Sequence, residues 1–349
     1  MNISFSNVII SGISSCIPRN TVDVLSFSKL WPEDQLKTII KSSGINRIAI
    51  APEDVTSSDL CFKAAEALLE ELKVDRTSID GLIFVSQTPD HILPTTSAIL
   101  QHRLGLSQSV IAFDIPNGCA GYVLGTLQAS MMISSGACRR VLVLAGDTIT
   151  RRVSSRDRSV KTIFGDAGSA TIVEFGNGTQ GFATSVDGSG SSRLIIPAGG
   201  SRLPSNHKTN KQIEKEDGNF RSQEDLFMDG MGVMNFALKK VPETVRELLQ
   251  FTNTKQDSIN FFGLHQANEF MISFLSRKLK IKTAQSAPFL CSEIGNTGPA
   301  SIPTLLSRWA ENSEENPKKS VLCGFGVGLH VGAQLCDLSK TKIIPPINI

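Results

Sequence analysis

The sequence predicts an α/β protein made of two similar halves. Three observations say so: strands alternate with amphipathic helices, one succession of them occurs twice, and its landmarks keep a near-constant offset. In the first half the helical run AAEALLEELKV leads through Ser78 and Ile79 into the strand GLIFVSQ. The helix SAILQHRLGL, the strand VIAFDI and, beyond Cys119, the strand RVLVLAGD follow. In the second half VPETVRELLQF leads through Ser258 and Ile259 into FFGLHQAN, then MISFLSRKLKI, PFLCSEIGN and SVLCGFG. Ser78 and Ser258 stand 180 residues apart, and Cys119 and Asn296 stand 177 apart. β-Branched and aromatic residues fill the strands, so the sheets are expected to be buried by helices on both sides. The division falls between residues 1–176 and 177–349, the two halves being related by a pseudo-twofold axis. Within the second, 201–225 (SRLPSNHKTNKQIEKEDGNFRSQED) is polar and charged, which predicts an exposed, partly mobile loop with no catalytic part.

Composition narrows the function. The 349 residues are 40% hydrophobic, enough for a large core, and 35 basic against 33 acidic side chains leave a formal charge of only +2. Such a balance gives no footprint for nucleic acid or a membrane surface. No apolar run reaches the length of a membrane span, and MNISFSNVIISGISSCIP has no basic leader, so a cytoplasmic protein is expected. The seven cysteines are scattered, without C-x-x-C pairs or Cys/His clusters at metal spacing, so neither a disulfide framework nor a metal site is expected.

Cys119 stands apart from the other six. In DIPNGCAGYVLGTL it occupies the bend between a strand and a small-residue helix, where Gly118, Ala120 and Gly121 allow a tight turn and close approach of a substrate carbonyl. A helix N terminus predicts a thiol pKa lowered from about 8.5, and the Cys119 backbone N–H is placed to serve a developing oxyanion. The same local sequence equally suits a cysteine that merely packs under the helix. His265, after an apolar strand, and Asn296, in GNTG, read singly as a structural histidine and a turn residue. The duplication changes their weight, because equivalent loop ends of two such halves face each other and can build one site. His91, His102, His207 and His330 have no such setting.

The ordered motifs GCAG, HQAN and GNTGPAS resemble the β-ketoacyl-[acyl-carrier-protein] synthase III family of the thiolase-like superfamily. IISGISSCIPRN, SSGINRIAI, DRSVKTIFGDAGSA, MDGMGVMNFAL and GFGVGLHVGAQL extend the resemblance over nearly the whole chain. It implies a five-layered αβαβα thiolase fold, a homodimer, no cofactor, and a decarboxylating condensation that uses acyl-CoA or acyl-carrier-protein thioesters. By motif, Cys119 corresponds to the acylated nucleophile. His265 and Asn296 correspond to the pair that hydrogen-bonds the malonyl thioester carbonyl. Phe325 borders the cysteine, Gly326 and Gly328 edge the primer's oxyanion hole, and Asn268 is a polar support. Phe164 lines the substrate tunnel, and Leu93 takes the place of a side chain that enters the partner's pocket.

The same alignment shows departures. Thr38 and Ser42 stand where a tryptophan and an arginine commonly grip the CoA adenine, with Trp31 seven residues too early; only Arg158 of that clamp is retained. Asn235 and Phe270 replace commonly basic carrier-docking positions, while Arg277 and Lys278 remain beside Lys280 and Lys282, and Val327 interrupts a glycine run. The leading expectation is therefore a condensing enzyme whose primer is another acyl-CoA or rides on a carrier protein. The alternatives are a same-fold acyltransferase acting on a hydroxyl or amine, a Cys-His-Asn hydrolase, and a non-catalytic partner subunit.

Overall fold

Leu82 and Phe84 leave one side of their strand for one hydrophobic core, and Ile83 and Val85 leave the other side for a second. That alternation, the period-two geometry of a strand buried on both faces, sorts the molecule into layers. The computed structural model describes residues 1–313 and 315–349. Strand β1 (Asn2–Ile17) is followed by β2 (Thr21–Asp23), helix α1 (Glu33–Ser43), β3 (Arg47–Ala49), α2 (Ser57–Glu71), β4 (Gly81–Val85), α3 (Thr96–Arg103) and β5 (Ile111–Ile115). Then come α4 (Gly121–Ser134), β6 (Arg140–Asp147), a short α5 (Arg158–Lys161) and a long β7 (Ala167–Val186). The rest of the chain supplies β8 (Leu194–Ile195), β9 (Ile213–Glu214), β10 (Phe220–Arg221), β11 (Phe227–Met228), α6 (Gly230–Phe251), β12 (Phe261–Leu264), α7 (Glu269–Leu279) and α8 (Ser301–Asn312). It ends with β13 (Lys319–Gly326), β14 (His330–Asp337), β15 (Lys342–Ile343) and β16 (Ile347–Asn348).

Three cores account for five layers. Leu60, Ala64 and Leu68 of α2 and Leu100 of α3 cover one side of β4 and β6. Tyr122, Val123 and Leu127 of α4, with Ile302, Leu305 and Leu306 of α8, fill the middle against Ile83, Val143, Phe261 and Leu322. Val241, Val245 and Leu248 of α6 and Leu275 of α7 close the far side over Phe262, Val321 and Cys323. The expected αβαβα thiolase architecture is thus the one observed. Helix α4 is apolar over most of its surface because it lies in the central layer, with the stripe of Leu124, Gln128 and Met131 partly exposed.

The repeat joins in an unexpected way. Strands β5, β4 and β6 run parallel, and β6 pairs antiparallel with Ala167–Glu174 of β7; β12 and β13 run parallel, followed by antiparallel β14, which pairs with Gly181–Val186 of β7. One strand therefore serves both sheets and changes partner near residue 176. β1 does likewise, its Asn2–Ser6 segment pairing with Thr179–Ala183 and its Val8–Cys16 segment with Gly168–Phe175. The C-terminal β15 and β16 return to pair with Gly12–Ile17 of β1, so the chain ends are exchanged between the halves. The repeat is also incomplete: PFLCSEIGN, the counterpart of β5, forms no strand; Ser286, just before it, bridges to Phe262, and Asn296 at its end bridges to Phe164. Pro288, lacking an N–H, does not suit a ladder there, and the freed segment carries Asn296 inward.

The 201–225 insertion corrects the sequence reading. It is mostly exposed but not a loose loop: β9 pairs with β10, and Arg221 forms a buried ion pair with Asp157 at 2.9 Å. Ser154 donates to the Phe220 carbonyl, Asn219 Oδ1 accepts from the Arg158 N–H at 3.0 Å, and Arg156 stacks over the Phe220 ring. Aromatic and arginine contacts thus hold the polar segment where few aliphatic residues are available. Among the described residues no helix is long and apolar enough to cross a membrane. Because Arg221→Ala strips a buried carboxylate of its cation, it is expected to destabilise the protein by about 3 kcal/mol; urea unfolding measures this, and an unchanged midpoint would show the insertion to be free.

Candidate active site

Cys119 sits where its loop crosses β13, with α4 beginning two residues later. The crossing is tight. A Cβ at Gly326 would stand 2.8 Å from the Cys119 Cβ and 3.0 Å from its Sγ, and one at Gly324 would stand 2.5 Å from its carbonyl oxygen. Glycine is required at both positions because backbone from one half lies directly on Cys119 of the other. Beneath the loop, Gln87 packs against Gly118 and donates to Asp147 at 2.7 Å. Ser86, Thr88 and the Gln87 backbone N–H also donate to this buried carboxylate, which burial pushes up to about 6 against the pull of those donors. This support left no local pattern in the chain, because Asp147 and its donors lie at the ends of two different strands.

The opposite wall comes from the C-terminal half. The His265 N–H donates to the Cys323 carbonyl at 2.8 Å, tying HQAN to β13. Gln266 is buried and holds the loop in turn, its N–H donating to Ser301 and its Oε1 accepting from the Leu290 N–H. The His265 ring meets Phe325 edge to face, with centroids 5.3 Å apart. Its Nδ1 is buried without a hydrogen-bond partner among the described residues, which leaves Nε2 as the nitrogen facing the cavity. Asn296 bridges to Phe164: its N–H donates to the Ile163 carbonyl and its own carbonyl accepts from the Gly165 N–H. Asn296 Oδ1 accepts from the Gly298 N–H at 3.0 Å, so the amide Nδ2 is left to donate.

These groups line one cavity of about 170 Å³: Cys119, His265, Asn296, Phe164, Phe325 and Gly326 of the expected residues share it with Asn268. Sequence reading missed its apolar wall, made by Leu194, Met228, Val233 and Met271. Asn268 also caps α7, its Oδ1 accepting from the Met271 N–H at 2.7 Å. Ile163 and Asn268 are shared with an outer vestibule of about 320 Å³ bounded by Ile39, Ser42, Arg158 and Phe270. Arg158 therefore stands at the entrance, its guanidinium donating to Gln35. Thr38 instead donates to the Asp34 carbonyl on its own helix, and Trp31 is buried against Phe27 in the α1 core. Gly328 lies outside the cavity, Leu93 is 81% exposed on the α3 approach loop, and Arg277 and Lys278 form the basic last turn of α7.

The electrostatics correct one expectation. Cys119 is only 6% exposed, and burial pushes its thiol up to about 12; Asp147 adds to the rise, and the residue's own backbone N–H opposes it. The lowering expected from a helix N terminus is outweighed, since the thiol faces an apolar cavity. Burial drives His265 the other way, down to about 3. Thiol, imidazole and amide are all uncharged at neutral pH. Among the described residues no cluster of His, Cys, Asp or Glu is set to hold a metal.

Family models for 3-oxoacyl-[acyl-carrier-protein] synthase III and its C-terminal region match residues 113–190 and 249–338. A β-ketoacyl-[acyl-carrier-protein] synthase III from Clostridioides difficile is 31% identical, over 93% of this chain and 97% of its own. The chain belongs to the β-ketoacyl-[acyl-carrier-protein] synthase III family. The crystal structure of a 3-oxoacyl-(acyl-carrier protein) synthase from Burkholderia xenovorans LB400 superimposes with a TM-score of 0.91 at 35% identity, covering 100% of this chain and 99% of that one. The priming β-ketosynthase of the R1128 polyketide pathway shares the fold at a TM-score of 0.81, with 25% identity and coverage of 95% and 96%. The Cys119, His265 and Asn296 loops of this synthase-family chain all fall inside the two matched regions.

Two pH dependences follow. Alkylation of Cys119 by iodoacetamide, located by peptide mass spectrometry, is expected to keep rising about tenfold per pH unit through pH ~9; a plateau near neutrality would show that burial does not control the thiol. His265 titrates near 6.5 when unfolded and lower when folded, so the unfolded chain takes up its proton first and stability falls as pH drops from about 6.5 toward 3. His265→Gln is expected to lose less stability than the parent between about pH 7 and about pH 4.5, measured as urea midpoints.

Proposed function

We propose that this condensing enzyme loads a short acyl primer onto Cys119 and then joins it to a malonyl unit carried on acyl carrier protein. The reading is carried by one observation: a single cavity holds the thiol of one half and two neutral donors of the other. In the first step Sγ attacks the primer's thioester carbonyl, the new C–S bond replaces the old one, and the Sγ proton ends on the departing thiol. In the second, malonyl thioester sheds CO2. The electrons of the broken C–C bond form an enolate, whose oxygen His265 Nε2–H and Asn296 Nδ2 would stabilise without proton uptake. The enolate carbon attacks the acyl carbon, Cys119 leaves as thiolate, and one proton from solvent restores the thiol.

We assign the vestibule of about 320 Å³ at Ile163 and Asn268, lined by Arg158, to the arm of a thioester carrier, CoA or acyl carrier protein. We assign Arg277 and Lys278, the basic end of α7, to the acidic carrier protein, and no cofactor or metal to the reaction. The cavity has the volume of about six waters, which suits a primer of about as many heavy atoms. A homodimer, in the cytoplasm, fits the exposed Ile92 and Leu93 and the free edge of β5, which needs cover. Incubation with acyl-CoA and acyl-carrier thioesters is expected to add one acyl mass to Cys119, steeply less for long chains. Cys119→Ala is expected to abolish condensation, and Asn296→Ala to slow CO2 release from malonyl-carrier protein about 10²–10³-fold. Acyl transfer to a hydroxyl or amine without CO2 release would overturn condensation in favour of the acyltransferase.

A further inference from the structure

His330, which its sequence context gave no role, lies beside the nucleophile loop. Gly326 of β13 and His330 of β14 are directly opposed, so their side-chain directions leave the same face of the sheet. Gly326 presents that face to Cys119. The His330 Nδ1 lies 3.0 Å from the Val327 carbonyl oxygen and 3.4 Å from the Asn117 amide nitrogen. A carbonyl only accepts, so Nδ1 must carry the hydrogen. Among the described residues Asn117 Oδ1 is buried without a partner. A half turn of that amide, whose oxygen and nitrogen are alike in shape, would bring Oδ1 to share the Nδ1 hydrogen. Gly328 makes the contact possible: its φ is +133°, and a Cβ there would stand 1.9 Å from Nδ1.

We propose that His330 is a positioning residue: through its Nδ1–H it clamps the Val327 carbonyl and the Asn117 amide, holding together the two loops that enclose the Cys119 thiol. The clamp deepens the reading of Cys119 as the acylated nucleophile and rests on it for its catalytic consequence. It requires no proton transfer, since Nδ1–H is present in both the neutral tautomer and the imidazolium. Releasing it would loosen the 326–328 backbone over Sγ, admitting small reagents while losing the alignment that acyl transfer needs.

The test compares His330→Ala, which removes the donor, with His330→Asn, which keeps an N–H near the Nδ1 position. Acylation of Cys119 by a saturating acyl donor is expected to slow about tenfold in H330A, the scale of one lost hydrogen bond, with little change in KM. Iodoacetamide alkylation at mildly alkaline pH is expected to rise severalfold in the same variant, and H330N to restore both rates. A damaged fold would also expose the buried thiol and raise alkylation, so the urea midpoint of H330A is measured beside the two rates and is expected to stay near the parent's, and rescue by H330N separates the clamp from a loosened fold. Asn117→Ala, on the other loop, is expected to raise alkylation as well. Parental rates in H330A, a fall in both rates, or an H330N protein that behaves as H330A would each overturn the clamp. Should the parent alkylate at Cys119 yet accept no acyl donor, the functional reading fails, and alkylation alone decides the clamp.

Discussion

Backbone pressed against a thiol is the constraint on which the site depends. Gly324 and Gly326 lack side chains where the Cys119 loop crosses β13, and the approach that results is too close for any Cβ. That approach fixes the distance between the halves at their most sensitive point. His265, tied to the neighbouring Cys323 carbonyl, and Asn296, tied to Ile163 and Gly165, inherit their positions from it. Geometry of this kind has large leverage, because displacements of an ångström suffice to cost an enzyme its alignment.

The second theme is neutrality. Burial raises the thiol and lowers the imidazole, so both resting groups are uncharged, and the orientation of Asn296 is settled by the backbone N–H it accepts from. Such a site holds no ion pair among its three polar groups and leaves the Asn296 amide free to donate. The carboxylate neighbour of Cys119, Asp147, is held by four donors, two of them from Gln87. It supports the loop that carries Cys119 while making the thiolate harder to form.

Much of this could be read from the chain. Periodicity located β4, β6, β12 and β13 because strands buried on both faces carry unbroken apolar runs, and the offset of the repeat correctly paired the Cys119 loop with those of His265 and Asn296. What stayed hidden had no local signature. Desolvation of Cys119 depends on walls contributed by Leu194, Met228 and Met271, far apart in sequence, and it reversed the pKa expected from the helix alone. The 201–225 segment looked loose because composition cannot show that Arg221 finds Asp157. The roles of Gln87 and His330 likewise depend on the loops that packing sets beside them.

The shared strands carry a consequence for how the molecule can come apart. Because β1 and β7 each run through both sheets, and the last strands of the chain close on the first, no cut between the halves leaves either sheet whole. The repeat is visible as a copy yet is woven rather than hinged. Opening of one half away from the other would break strands that both halves share, so it is not a motion this architecture offers.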